Sequence, residues 1–190
     1  GGADWANTLS AGVGPEEDGA DEGRPTDAVT PHRAYDLIEA GGAFYASVQN
    51  EQPETGKLTR IYRSLNGDAW SATAGAGFPT NAGRVSLASG NDGRIYALAG
   101  DQEGNLFLGL YVTTDGAASW RRVGVDLTPL NPQSDYGNAI SVDPEDPGKV
   151  YLAGFDIVRV DVSNPATGAG VLTQLARGFD TTRLNEPHVD

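Results

Sequence analysis

One short motif occurs twice in the sequence, at a spacing that restricts the possible folds. It runs from Ser64 to Trp70 and again from Thr113 to Trp120, so its closing tryptophans lie 50 residues apart. A self-similar unit of about 40 to 50 residues is typical of architectures in which each repeat is a small structural unit stacked on the next. The spacing therefore predicts a repeat fold.

The segments between the motifs have the pattern of strands. Because 26 glycines and 11 prolines interrupt the chain every few residues, long helices have little room. The apolar run at 95–98 suits a strand that is covered on both faces. We predict three sets of four strands, at 35–39, 43–49, 58–64 and 70–73, then 84–88, 94–99, 106–113 and 120–123, then 138–142, 149–153, 157–162 and 171–175. The predicted fold is all-β, a β-propeller of four-stranded antiparallel blades with about three blades present.

The two motifs and the predicted strands also predict how the chain is divided into blades within one propeller domain. We expect an N-terminal leader, three blades and the first inner strand of a further blade, at 1–32, 33–80, 81–130, 131–180 and 181–190. In the leader, the segment 5–9 suits an outer strand of an earlier blade or a strand that closes the ring. An acidic stretch at 16–22 suits a solvated loop.

Composition excludes several classes of function. Acidic residues outnumber basic ones 26 to 13, and a formal charge of −13 repels a phosphate backbone, so nucleic acid is not an expected partner. The absence of cysteine excludes disulfides, thiolate metal sites and a cysteine nucleophile in this chain. No apolar run approaches the roughly 18 residues of a membrane span. The chain contains no methionine, so it does not begin at a retained initiator. Processing or trimming of the chain, or removal of an upstream export signal, would explain the start at Gly1, and we expect a secreted or periplasmic protein.

The two motifs resemble the Asp box, which has the pattern Ser or Thr, any residue, Asp, Gly, a short spacer and Trp. The second motif matches it nearly throughout, with Ala117 where glycine is common, and the first is one residue shorter with asparagine in place of aspartate. The residues concerned are Ser64, Asn66, Gly67, Trp70, Thr113, Asp115, Gly116 and Trp120. Residues 33–190 are thus similar to the Asp-box (BNR-repeat) propellers, the family of sialidase, xyloglucanase and sortilin-like propellers.

The Asp box is interpreted as a structural turn rather than a catalytic motif. The Asp115 carboxylate can accept hydrogen bonds from its own turn, Gly116 tolerates a positive φ, and Trp120 can pack inward. A box of this kind therefore does not by itself indicate sugar cleavage.

The family resemblance implies a ring of six to eight blades, of which three would leave two open faces. We expect a second polypeptide to supply the rest, either the C-terminal part of the same precursor or a separately encoded subunit. The chain ends inside an expected strand at 186–190, which favours a cut made after folding. Ordinary proteolysis is one route. The other is self-cleavage after Asp190, which would give the next chain a new N-terminal nucleophile.

His188 and Asp190 are the first candidates for chemistry. Two residues apart in a strand, they face the same way, near the mouth of the expected channel. They suit a ligand pair for a divalent cation, or a catalytic base with its orienting carboxylate. A polar pair in a water-filled channel is the simpler alternative. His32 is expected to be exposed.

Four further residues stand at the starts of the expected inner strands and are candidates for ligand binding, namely Arg33, Arg84, Asp135 and Tyr136. A sialidase needs three arginines and a tyrosine–acid pair, and the Arg-Ile-Pro signature of that family is missing. A xyloglucanase-like hydrolase needs two opposed carboxylates. The segment 135–137 resembles that family.

Two hypotheses for function follow. The first is an exported propeller subunit that binds a ligand or protein, or acts in assembly, as one fragment of a cleaved precursor. The alternative is a hydrolase with its site at the central channel. It would be a glycoside hydrolase, or a self-processed amide hydrolase whose nucleophile begins the following chain.

Overall fold

The computed structural model describes residues 32–52 and 56–178, which form three four-stranded antiparallel sheets. Sheet 1 comprises β1 (His32–Ala40), β2 (Ala43–Gln52), β3 (Gly56–Ser64) and β4 (Ser71–Ala72). Sheet 2 comprises β5 (Ala82–Ser89), β6 (Ile95–Asp101), β7 (Phe107–Thr113) and β8 (Arg121–Arg122). Sheet 3 comprises β9 (Ala139–Val142), β10 (Lys149–Ala153), β11 (Ile157–Asn164) and β12 (Ala169–Ala176).

The predicted all-β class is confirmed, and each of the twelve predicted strands is present with ends that differ by a few residues. In the described part of the chain, helix is limited to one 3-10 turn at Thr128–Leu130. None of the described residues forms a helix that is long and apolar enough to cross a membrane. The leader up to residue 31 and the segment 181–190 lie outside the described residues. The limits of each blade and the extracytoplasmic location stay predictions.

Two apolar cores lie between the sheets. Core 1 joins sheets 1 and 2 and includes Tyr45, Ile61, Leu87, Ile95, Ala97 and Trp120. Core 2 joins sheets 2 and 3 and includes Tyr96, Leu98, Leu110, Val150, Val158 and Val160. Neighbouring residues of β6 enter different cores because successive side chains of a strand point to opposite faces. The apolar run at 95–98 is therefore buried on both faces, as the sequence predicts.

The first strands of the three sheets lie side by side, since β1 contacts β5 and β5 contacts β9. Side chains of sheet 1 satisfy backbone groups of β5: the amide of Leu87 donates to Asp36 Oδ2 at 2.8 Å, and Ser47 Oγ donates to the carbonyl oxygen of Val85 at 2.7 Å. We call the leading edge the edge at which β1, β5 and β9 begin. Antiparallel pairing places the β6–β7 and β10–β11 turns there too, and the β3–β4 and β7–β8 turns at the opposite edge.

Each connection between sheets packs on a turn of the next sheet. After β4, Ala76 forms a parallel bridge with Ser119, and Phe78 lies 5.2 Å from the ring of Trp120, centroid to centroid. After β8, the amide of Gly124 donates to the carbonyl oxygen of Gly168 at 2.8 Å. Both connections contact the turn before the fourth strand of the following sheet, so the sheets are linked at their outer side as well as through the cores.

Candidate functional site

Arg84 links the three sheets at the leading edge. Its Nη1 donates to the carbonyl oxygens of Asp135 at 2.7 Å and of Tyr136 at 3.3 Å, in the loop that leads into β9. Its guanidinium carbon lies 5.7 Å from the centroid of the Tyr35 ring on sheet 1, a cation–π distance. Arg84 Nε is buried and has no hydrogen-bond partner among the described residues. The side chain thus holds a loop of sheet 3 against sheets 1 and 2.

The loop at 131–137 is fixed by further hydrogen bonds to the β6–β7 turn. The amide of Gln133 donates to the carbonyl oxygen of Asn105 at 3.0 Å, and the amide of Asp135 donates to that of Gly104 at 3.2 Å. Asn138 supports the loop from below, since its Nδ2 donates to the carbonyl oxygen of Ser134 at 3.2 Å. The backbone of the loop is therefore ordered before any ligand arrives.

The side chains of Asp135 and Tyr136 face solvent on this fixed loop. Tyr136 is 69% exposed, although a ring of this size commonly finds cover. Arg33, near the start of β1, is also exposed. Two residues on, the hydroxyl of Tyr35 donates to Gln49 Oε1 at 2.8 Å, which keeps the Tyr35 ring beneath the guanidinium of Arg84.

The structure brings three of the four candidates together, namely Arg84, Asp135 and Tyr136. Arg33 lies at the same edge, without a hydrogen bond to those three within the described ranges. His188 and Asp190 lie outside the described residues. Sequence reasoning missed Tyr35 and Asn138. Their position in the sequence could have identified them, because both stand at the start of a predicted inner strand, as the four predicted ligand-binding residues do.

The described residues suit ligand binding by stacking and hydrogen bonding. Among them, no group of three or more His, Cys, Asp or Glu side chains is placed to hold a metal ion. The divalent cation at His188 and Asp190 stays a prediction. The exposed groups at the leading edge include the phenol ring of Tyr136, the carboxylate of Asp135 and the guanidinium of Arg33.

The Thr113–Trp120 turn is closed by its own side chains. Asp115 Oδ1 accepts from the hydroxyl of Thr113 at 2.7 Å and from the amide of Ser119 at 2.9 Å. Its Oδ2 accepts from the hydroxyl of Ser119 at 2.5 Å. Gly116 and Ala117 both have positive φ, 70° and 67°, and Trp120 is buried in core 1. Asp115 therefore acts within its turn, at the edge opposite to Tyr136.

The Ser64–Trp70 turn is also closed by its own side chains, with the side-chain amide of Asn66 in place of the Asp115 carboxylate. Asn66 Oδ1 accepts from the amides of Asp68 at 3.1 Å and Ala69 at 3.3 Å, and Ser64 Oγ accepts from the amide of Gly67 at 2.9 Å. Trp70 Nε1 donates to the carbonyl oxygen of Gly67 at 2.9 Å. The turn therefore needs an acceptor oxygen at this position, not a charge.

Asp115→Asn should preserve the turn and remove a small pH dependence of stability. The hydroxyl and amide of Ser119 hydrogen-bond the carboxylate and hold the pKa of Asp115 below its ordinary value. This stabilisation is complete above the ordinary aspartate pKa of about 3.9 and is lost as the pH falls through the lowered value. Because the group is largely solvated, we expect it to contribute less than about 1 kcal/mol.

Urea unfolding at pH 7 and pH 3 checks this prediction. At pH 7 the variant should have nearly wild-type stability, since Asn66 already fills the same role in sheet 1. Between the two pH values the variant should lose less stability than the wild type. An equal loss in both proteins would show that ionisation of Asp115 does not contribute.

Comparison with known proteins supports the fold. Neither a family model nor a curated protein sequence matches the chain. Among solved structures, the chain is similar to the Hadza microbial sialidase Hz136, with 14% sequence identity and a TM-score of 0.51. The alignment covers 68% of this chain, which spans only 28% of the sialidase chain. At this identity the likeness shows the fold alone: the three sheets are blades of a β-propeller fold.

Proposed function

We propose that this chain is a binding module that holds a saccharide at the leading edge of its sheets. The observation that carries the proposal is the loop at 131–137. Arg84 and the β6–β7 turn hold its backbone, while Tyr136 remains 69% exposed and Asp135 faces solvent beside it. A site whose groups are ordered in advance loses little conformational entropy on binding.

The chemistry of these groups suits a pyranose ring. One face of such a ring is apolar and can stack on the phenol of Tyr136, while its hydroxyls can donate to the carboxylate of Asp135. The exposed guanidinium of Arg33 adds donors for sugar oxygens at the same edge. Because the chain carries a formal charge of −13, a neutral saccharide is favoured over an anionic one.

Tyr136→Ala should weaken binding to neutral oligosaccharides by about tenfold, because a central aromatic contact typically contributes more than 1 kcal/mol. The measurement is binding of the chain to a panel of immobilised neutral oligosaccharides, followed by titration of the best ligand. Leu65→Ala is the matched control. Leu65 is 68% exposed, as Tyr136 is, but lies in the β3–β4 turn at the opposite edge.

Two results would contradict the proposal. The first is that no member of the panel binds, or that Tyr136→Ala binds as tightly as the wild type and the Leu65→Ala control do. The second is release of reducing ends from a bound oligosaccharide, which would favour the hydrolase alternative over a binding module. Export and processing of a precursor stay predictions from the sequence.

A further inference from the structure

Gln133 has a backbone conformation that glutamine disfavours. Its φ is 84°, in the left-handed region, where the Cβ of an L-residue crowds the backbone and glycine alone avoids the cost. Among the described residues, every other positive φ belongs to a glycine, except that of Ala117. The chain therefore keeps a side chain at position 133 although glycine would fit the backbone better.

Packing within the described chain explains the side chain of Ala117 but not that of Gln133. The methyl group of Ala117 is fully buried in core 1, where it fills space between sheets 1 and 2. Gln133 is exposed, and its hydrogen bonds to other described residues come from its backbone alone. Strained backbone of this kind clusters at binding sites. The glutamine side chain thus indicates a role outside the packing of the chain.

The backbone of Gln133 closes the turn that carries Tyr136. Its carbonyl oxygen accepts from the amide of Tyr136 at 3.1 Å and from that of Gly137 at 2.8 Å. Its own amide donates to the carbonyl oxygen of Asn105 at 3.0 Å, on the β6–β7 turn. In a turn with this hydrogen bond, the Cα atoms of the first and fourth residues lie within about 7 Å. Gln133 is therefore a close neighbour of the ring proposed to stack on a sugar.

This turn has one buried residue and three exposed ones. Ser134 is 0% exposed, and its carbonyl oxygen accepts from Asn138 Nδ2 at 3.2 Å, which anchors the turn. Gln133, Asp135 and Tyr136 are exposed around it. A carboxylate only accepts hydrogen bonds, whereas a side-chain amide has two donor hydrogens and an acceptor oxygen. Gln133 thus adds donors beside the ring that Asp135 lacks.

We propose that Gln133 determines the specificity of the saccharide site, because its side-chain amide hydrogen-bonds sugar hydroxyls next to Tyr136. The inference rests on the proposed function. Stacking on a phenol ring depends on the apolar face of the sugar and discriminates little between isomers. A hydrogen-bonding group discriminates more, since a misplaced hydroxyl leaves the group unpaired. Glycine at this position relieves the strain but cannot make these bonds.

The stability of two variants tests the strain. Gln133→Gly removes the Cβ that makes the positive φ costly, whereas Gln133→Ala keeps it. The glycine variant should therefore have the higher midpoint in urea unfolding, and the alanine variant should have a midpoint close to that of the wild type. Equal midpoints for the two variants would show that position 133 is not strained, and would overturn the argument.

Binding of matched sugars tests the specificity. Isothermal titration calorimetry compares the best neutral oligosaccharide of the panel with isomers that each differ from it in the configuration of one hydroxyl. Both Gln133 variants should weaken binding of the best ligand by about three- to tenfold, the range for one hydrogen bond, and binding of at least one isomer by less. The ratio of the two affinities should therefore fall. Tyr136→Ala should weaken both ligands by a similar factor and preserve the ratio.

The outcomes separate this inference from the proposed function. Far-UV circular dichroism checks that each variant is folded, and Leu65→Ala, at the opposite edge, should change neither affinity. If both Gln133 variants keep the wild-type ratio for every isomer, the inference is wrong, while a loss in Tyr136→Ala leaves the saccharide site standing. A wild type that binds no oligosaccharide overturns the proposed function and this inference with it.

Discussion

Alanine at position 77 should destabilise the chain by about 3 kcal/mol. A Cβ on Gly77 would overlap the backbone carbonyl oxygen of Trp120, and Gly77 has a φ of 81°, which L-residues rarely adopt. The left-handed conformation costs about 1–2 kcal/mol and a forced overlap about 1–3 kcal/mol. Because the overlapping atom belongs to the backbone, the connection between sheets 1 and 2 must shift to admit the methyl group. Urea unfolding followed by circular dichroism gives the change in free energy.

Gly93→Ala is the matched control for this prediction. Gly93 has nearly the same φ, 83°, but an added Cβ would meet nothing within 4 Å. Its substitution therefore reports the backbone conformation alone, at about 1–2 kcal/mol. If both variants lost the same stability, the overlap with Trp120 would not contribute to the free energy of unfolding. The connection between sheets 1 and 2 would then be able to shift at no cost.

Trp120→Ala should cost about 3–5 kcal/mol, the range for removing a large aromatic side chain from a core. Trp120 is buried in core 1 and lies 5.2 Å from the ring of Phe78, centroid to centroid. Phe78 also lies 5.3 Å from Tyr111, so the substitution would remove one of three clustered rings and leave a cavity beside the other two. The loss should appear as a lower urea midpoint with an unchanged slope.

Trp70→Ala tests the same motif position in sheet 1 and should cost less, about 1–2 kcal/mol. Trp70 is only half-buried, and its Nε1 donates to Gly67 within the turn. Both tryptophan variants are best measured at one low protein concentration, so that association of copies does not add to the stability. Equal losses for Trp70 and Trp120 would contradict the view that packing between sheets, rather than the motif, decides the energy.

The strand pattern and the turns were readable from the sequence because they depend on local chemistry. Alternation along a strand and the positive φ of Gly116 involve neighbouring residues only. The hydrogen bonds of Asp115 and Asn66 likewise stay within four residues. For this reason the three sets of four strands and the two turn motifs appear in the structure close to their predicted positions. His188 and Asp190 lie outside the described residues, and their chemistry stays a prediction.

The leading edge was only partly predictable. Arg84 was a candidate for ligand contact because it stands at the start of an inner strand, and that role stays a prediction. The structure gives its Nη1 two backbone carbonyl partners, 51 and 52 residues further along the chain. No sequence pattern predicts such a hydrogen bond, because every residue has a backbone carbonyl oxygen. Which carbonyl oxygen accepts the bond depends on how the two sheets pack.

What the sequence alone determined is the repeat: its period, its strands and the turn that closes each hairpin. The tertiary structure decided which copy of each repeated residue is buried. Trp70 and Trp120 close the same motif, but only Trp120 lies in core 1. Leu37 pairs with Ala46 as Leu87 pairs with Ala97, but only Leu87 lies in core 1. Strand and turn preferences act over a few residues, whereas burial depends on whether another sheet lies against that face.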